Sequence, residues 1–205
     1  MNTFVWGPPT WKLLHSMSFA DPGALRGAVG EVVRFMDSLG EVLPCRYCRD
    51  SYAVFVKDMP SVRSAIQEGT LARWMYELHA RVNTKLGAQT PPWERVVKRH
   101  AFRRVQWCPQ DVWDLVGLVG ANHVPGKQRA YAECWDTLGT VVRLAGGSAR
   151  LVGVLGVVEC PGCPRDFALT AAVMSSKHGG TDTPCVGAVR KAEARYARCK
   201  ASDVD

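Results

Sequence analysis

Two cysteines separated by two residues, Cys45-Arg46-Tyr47-Cys48, offer the most reactive side-chain chemistry in the chain. A pair at this spacing can cycle between dithiol and disulfide, can supply half of a zinc site, or can be two inert core thiols. Pro44 stands just before the first cysteine. Proline is tolerated at or before the first turn of a helix, where N–H groups have no intrahelical partner. The sequence therefore predicts a helix opening at Cys45, with the positive end of its dipole beside that sulfur. Arg46 and Arg49 add cationic charge. Both effects favour a thiolate and lower a cysteine pKa.

The elements that must hold this pair are helices. Residues 11–19 carry Trp11, Leu14, Met17 and Phe19 mostly on one side, and Gly7-Pro8-Pro9-Thr10 reads as their start with Thr10 as N-cap. Asp21-Pro22-Gly23 ends that helix. A second is predicted over 24–39, where Val29, Val32, Val33, Met36 and Leu39 recur at helical spacing, with Gly40 as its stop. The cysteine-bearing helix runs from 45 toward Pro60, and a short turn over 62–66 leads to Gly69. Leu71, Trp74, Met75, Leu78, Val82 and Leu86 form one stripe of a fourth helix, ended by Gly87. Pro91-Pro92 opens a fifth over 93–105. Nothing in this half alternates with the period of a strand, and the short connections suit antiparallel helices.

Residues 106–205 read as a second, mostly helical domain. Helices are predicted over 111–121, carrying Trp113, over 127–144, and over the basic stretch 186–200. Residues 151–158 fit helix or strand equally. A second Cys-x-x-Cys, Cys160-Pro161-Gly162-Cys163, precedes an apolar run over 167–174. Trp113, Pro125 and Cys160–Cys163 repeat the order Trp11, Pro22, Cys45–Cys48. A degenerate copy of the first half and an unrelated helical domain are both compatible with that echo.

Composition bounds the rest. The 205 residues are 47% apolar and 22% charged, ordinary for a globular chain with a buried core. No apolar run approaches the roughly 18 residues of a membrane span, and residues 1–9 lack the basic and apolar regions of a signal peptide. The formal charge of +7 would suit an anionic partner. Its lysines and arginines are scattered, however. The densest run, Arg95 to Arg104, reads as a solvated helix face, which argues against a nucleic-acid binder. Eight cysteines are many for a reducing compartment and few for a disulfide scaffold.

Two pairs at i, i+4 accompany the dithiol: Trp11 with His15, and His79 with Asn83. Each pair shares one face of its helix, and together they could wall a slot between helices of the kind that binds cofactors in bundles.

With these residues in place, the segments Trp6-Gly7-Pro8-Pro9-Thr10-Trp11-Lys12-Leu13-Leu14-His15, Pro44-Cys45-Arg46-Tyr47-Cys48 and His79-Ala80-Arg81-Val82-Asn83-Thr84-Lys85-Leu86-Gly87 resemble the ERV/ALR family of FAD-linked sulfhydryl oxidases. The resemblance covers residues 4 to about 105. It implies an all-α fold, a four-helix bundle with a short fifth helix over 1–105, binding FAD; the helical domain over 106–205 has no counterpart of His79-x-x-x-Asn83 and is expected to bind no flavin. It also implies that Cys48 lies next to the flavin and that Cys45 is attacked by incoming thiolates. Trp11 and His15 would contact FAD, His79 and Asn83 would hold its adenine end, Lys85 would pair with phosphate, and Trp93 would supply a late aromatic. Gly7, Thr10 and Val82 complete the implied cofactor set. The implied reaction makes disulfides in thiol-bearing proteins and reduces O₂ to H₂O₂, with no nucleic acid, membrane or metal involved. A homodimer or an internal pseudo-dimer is implied as well.

The chain departs from the family pattern in three places: no cysteine lies between Cys48 and Cys108, Phe19-Ala20 stands where a tyrosine is usual, and Ala80 where asparagine is common. Cys160 and Cys163 read as a shuttle disulfide, a relic, or a zinc pair completed by Cys185 and Cys199. Cys108 and Cys134 read as buried thiols or a local disulfide. The two-part layout resembles the thiol oxidases of large DNA viruses, which implies work in the cytoplasm of an infected cell or in the virion. The mitochondrial intermembrane space is the alternative compartment. The rival reading of the whole is a zinc-stabilised cysteine-rich interaction module without catalysis.

Overall fold

The computed structural model describes residues 3–101 and 126–149, with 111, 112, 115, 116, 119 and 152. The regular elements among them are all helices: α1 (Thr3–Ser18), α2 (Pro22–Gly27), α3 (Val29–Val42), α4 (Arg46–Lys57), α5 (Val62–Gln67), α6 (Leu71–Lys85), α7 (Trp93–His100) and α8 (Gln128–Leu144). The all-α expectation holds for them. None of these helices is long and apolar enough to cross a membrane.

Thr10 is not a cap. α1 begins at Thr3 and carries Pro8 and Pro9 inside it. Those prolines lie so near its start that the carbonyls they leave without a helical partner belong to its first turn. The Thr10 hydroxyl instead donates back to the Trp6 carbonyl at 2.7 Å. The helix expected over 24–39 is likewise interrupted, at Ala28, between α2 and α3. Gly23, Gly27 and Gly30 weaken a continuous helix there. Asp21 and Pro22 start α2 as a separate unit, with the Asp21 carboxylate accepting from the Ala24 N–H at 3.0 Å. The expected turn over 62–66 is the helix α5, capped by the Ser61 hydroxyl, which accepts from the Ser64 N–H at 3.1 Å.

Gly40 does not stop α3, which continues to Val42. The glycine has another use. A Cβ at that position would lie 2.5 Å from the Tyr52 ring of α4. Its absence lets the ring lie against the α3 backbone, and the Tyr52 hydroxyl donates to the Met36 carbonyl at 2.8 Å. This contact fixes the cysteine-bearing helix on its neighbour. α6 is pinned in turn: the Trp74 indole N–H donates to the Pro60 carbonyl at 2.8 Å. Its C-terminus closes through Gly87 at φ 66°, where the Ala88 N–H reaches the Asn83 carbonyl at 2.8 Å.

One hydrophobic core joins Leu13, Met17, Phe35, Met36, Leu39, Leu71, Met75 and Leu78 with Tyr131, Leu138, Val141 and Val142 of α8. Val112, Leu115, Val116 and Val119 belong to the same cluster at helical spacing. α8 lies along α3, with Lys127 on Glu41 at 2.6 Å and Arg34 on Asp136 at 3.3 Å. Lys12 of α1 meets Asp111 at 2.8 Å. Cys134, read as a buried thiol or part of a local disulfide, is buried on α8. Trp113, Cys108, Cys160, Cys163, Cys185, Cys199 and the helix expected over 186–200 lie outside the described residues.

Candidate functional site

Cys45 is the N-cap of α4, and the N–H groups of Cys48 and Arg49 both donate to its carbonyl, at 3.1 and 3.0 Å. Both cysteines are thiols, Cys45 buried and Cys48 half-buried. Side-chain hydrogen bonding between Cys48 and Cys45 is the largest influence on both thiols. This bond is the main reason the Cys45 pKa falls to about 6, and backbone N–H groups of Cys48 and Tyr47 reinforce it against the opposing effect of burial. The same bond, with burial and the neighbouring Cys45 charge, pushes Cys48 upward, while Lys85 pulls it back.

The arginines expected to charge this end do other work. Arg49 donates to the Leu43 carbonyl at 2.6 Å, and Arg46 lies 3.9 Å from Asp50. The cation that acts on the pair is Lys85, at the end of α6. Its ammonium donates to the Tyr47 carbonyl at 3.1 Å and to the Ser51 hydroxyl, both in the first turns of α4.

Two turns earlier on α6, His79 belongs to a cluster of rings. Trp11 stacks on it at 3.9 Å with 5° between planes. His15 Nε2 meets His79 Nδ1 at 2.9 Å. His100 of α7 stacks near His15 at 5.3 Å and near Phe19 at 5.7 Å, and Phe19 continues to Trp93 at 6.0 Å. Tyr76 meets the Trp93 edge, and the Arg73 guanidinium lies over that ring at 5.2 Å. Burial keeps all three histidines neutral. His15 falls to about 3, further lowered by His79, His100 and Arg99; His79 falls to about 4; His100 falls to about 4, with Arg99 adding to the effect.

The pairs read from the sequence thus separate partly. Trp11, His15 and His79 come together, with Trp93 at the far end of the same ring series. Asn83 turns to the following loop, its amide donating to Thr90 at 3.3 Å. Val82 is half-buried beside it. Thr10 is buried and spends its proton within α1, and Gly7 has open space where a Cβ would stand. His100 was missed because it falls inside the basic run read as solvated. Its signal was the seven-residue spacing from Trp93, two helical turns on one face.

A cavity of about 580 Å³ adjoins the rings, walled by Ser16, Phe19 and His100 on one side and by α2 and the end of α8 on the other. On its wall Ser16 Oγ and His100 Nδ1, and in the adjoining ring cluster His15 Nδ1, are buried without a hydrogen-bond partner. Buried polar atoms are costly unpaired. Two rings on the wall, Phe19 and His100, with unpaired polar atoms at their edge, fit one face of a planar heteroaromatic ligand that can hydrogen-bond at its rim. Trp11 and His79 are already in contact, so such a ring would sit beside that stack and not within it. Among the described residues no three His, Cys, Asp or Glu side chains gather as a metal site.

Fold and site together define a dithiol protein, all-helical among the described residues, in which one helix, α6, carries both a residue of a neutral aromatic and histidine cluster and the lysine that bonds the dithiol-bearing α4. Residues 8–107 match the Erv1 / Alr family. The chain is 32% identical over 82 residues to the mitochondrial FAD-linked sulfhydryl oxidase ERV1 of Saccharomyces cerevisiae, covering 39% of this chain and 42% of that protein. It is 30% identical over 112 residues to the FAD-linked sulfhydryl oxidase ERV1 of Arabidopsis thaliana, covering 54% of this chain and 56% of that protein. The chain therefore spans about half the length of these relatives. No solved structure gave a significant match.

Proposed function

We propose that this protein is an FAD-dependent thiol oxidase that makes disulfides in other proteins through Cys45 and Cys48, with O₂ as the final acceptor and H₂O₂ as product. The observation that carries the proposal is that α6 ties the dithiol to the ring cluster. Lys85 bonds the first turns of α4 beside Cys48, and His79, six residues or roughly 9 Å earlier, stacks on Trp11. The names of both relatives support flavin as the planar ligand.

Trp11, His15, His79, Phe19, Trp93 and His100 would hold the ring systems of FAD, with the unpaired histidine nitrogens and Ser16 Oγ at their polar edges. Lys85 would offer its charge to the phosphates. Val82, Asn83, Gly7 and Thr10 would line the same region without supplying charge. Bound FAD supplies a two-electron acceptor that returns electrons to dioxygen.

The thiols' part follows from their unequal acidity. A substrate thiolate attacks the Cys45–Cys48 disulfide at Cys45, forming a mixed disulfide and releasing Cys48 as a thiolate. Cys48 is then relieved of its hydrogen bond with Cys45, and Lys85 beside it favours the charge. A second substrate thiol attacks the substrate sulfur of the mixed disulfide. Cys45 leaves readily because the α4 N-terminus stabilises its thiolate. The substrate has lost two electrons and two protons, and the pair has gained them. Re-forming the Cys45–Cys48 bond passes both electrons onward and releases both protons, the more acidic Cys45 losing its proton to solvent first and Cys48 last.

Cys160 and Cys163 could relay oxidising equivalents to Cys45 in this scheme, and residues 106–205 would form a helical partner that binds no flavin. α8 packed along α3 supports that arrangement and with it an internal pseudo-dimer. The mitochondrial name of the yeast relative supports a mitochondrial compartment, within which the intermembrane space is the alternative read from the sequence. The viral setting rests on the two-part layout alone.

The purified protein should be yellow with flavin absorbance. Cys48→Ser should keep the colour and lose oxygen consumption with dithiothreitol by about a thousandfold or more, as expected when an essential redox group is removed. A colourless protein carrying about one zinc per chain would replace this reading by the zinc-module one.

A further inference from the structure

A second cavity, of about 480 Å³, runs between the outer faces of α4 and α6 and plays no part in holding the rings. Its α4 wall is the stripe Tyr47, Ser51, Val54 and Phe55, and its α6 wall is Arg81 and Lys85. Tyr47 is 75% exposed and Val54 59%, two of the three large apolar side chains most exposed among the described residues. The third, Leu86, 51% exposed, follows Lys85 directly. Isolated exposed apolar residues are ordinary, but a cluster of them in a groove marks a contact surface.

The geometry points to this groove as the docking site for the polypeptide segment that flanks the reacting cysteine of a thiol substrate, one carrying a large apolar side chain and a carboxylate. This deepens the thiol-oxidase reading and rests on it. The groove begins at Tyr47, the neighbour of Cys48, so a segment lying in it is already delivered to the dithiol. Tyr47 to Val54 is seven residues of helix, about 10 Å, which matches about three residues of extended chain. The recognised side chains therefore lie within about three positions of the substrate cysteine.

Charge decides the polarity of the partner. Arg81 uses one guanidinium nitrogen on the Phe55 carbonyl, at 3.4 Å, and the Lys85 ammonium stands on the same wall. The acidic residue of the groove, Asp50, lies 3.9 Å from Arg46. With Lys85 already engaged at the dithiol and the phosphates, Arg81 is the cation left to the groove, and the groove's acid has a cation of its own, within a chain of net charge +7. An acidic segment is attracted and a basic one repelled. Tyr47, Val54 and Phe55 supply the apolar floor for its large side chain.

The test uses the full-length, flavin-loaded protein and two synthetic dithiol peptides that differ in the three residues after the first cysteine, Phe-Asp-Glu in one and Ser-Lys-Lys in the other. The acidic peptide should be oxidised with a KM about tenfold lower, a modest contact difference. Val54→Asp and Arg81→Glu should each raise that KM about tenfold while dithiothreitol turnover stays within about twofold. Arg81→Glu should also reverse the preference between the peptides. Fluorescence anisotropy of the acidic peptide, labelled and with serine for cysteine, reads docking without turnover and should weaken in the same variants. Equal KM values for the two peptides in the parent protein, unchanged anisotropy in the variants, or parallel loss with dithiothreitol would overturn the docking site. Failure of the parent protein to oxidise dithiothreitol would instead remove the oxidase reading, and the anisotropy series would still decide the groove.

Discussion

The middle and the C-terminus of α6 meet opposite electrostatic demands. At Lys85 it borders a pair of sulfurs with their acidities driven apart, one down to about 6 and the other up. At His79 it borders three histidines all held neutral, at about 3 to 4. The first region is made to carry charge at neutral pH and to exchange it. The second excludes charge and offers flat faces with unpaired polar edges. The difference comes from local structure and not from residue type. A helix N-terminus and a neighbouring S–H stabilise an anion, whereas burial among rings penalises a cation.

The sharpest way to break this contrast is at the sulfurs. Cys48→Ala removes the hydrogen-bond partner that chiefly lowers Cys45. The midpoint of Cys45 alkylation by iodoacetamide should then climb from about 6 toward the ordinary cysteine value near 8.5. A midpoint that stays put would assign the effect to the helix end alone.

A smaller effect is expected where α4 is anchored. Gly40→Ala puts a methyl group 2.5 Å from the Tyr52 ring, so the ring must move and its bond to the Met36 carbonyl strains. The loss should be about 1–3 kcal/mol in urea unfolding, typical of overpacking. Stability equal to the parent would mean that α4 adjusts freely.

The ring cluster has a pH signature on the acid side, because protonating a buried neutral histidine costs stability. His15 is 6% exposed and holds a folded pKa of about 3 against an unfolded value of 6.5. Its neutral burial therefore contributes stability fully above about pH 6.5. That stability is lost as pH falls from there toward the folded value, at about 1.4 kcal/mol per pH unit. Urea midpoints of the parent protein should fall between pH 6.5 and 4, and His15→Gln should flatten the slope. A flat parent profile would contradict burial of neutral rings.

The sequence carried the parts of this arrangement that depend on spacing within one helix. Cys45 and Cys48, Trp11 and His15, and the stripe of α6 could be read because each follows from helical periodicity. What depended on a partner elsewhere could not. Gly40 looked like a terminator because nothing local announces that Tyr52 needs its space. His100 disappeared among Lys98, Arg99 and Arg103, since only the fold decides which member of a basic run turns inward. The arginines beside the dithiol seemed the obvious cations, yet Lys85, 37 residues from Cys48 in sequence, is the one that reaches it. The break at Ala28 was foreshadowed by three glycines but masked by the valine stripe running past them.

The central claim is that the dithiol and the ring cluster serve one bound flavin. Anaerobic addition of dithiothreitol to the purified protein, followed by visible absorbance, tests it most directly. The flavin band should bleach in the parent protein and persist in Cys48→Ser at equal flavin content. Bleaching at the same rate in both would mean that electrons reach the flavin without these sulfurs, and the link drawn through α6 would be wrong.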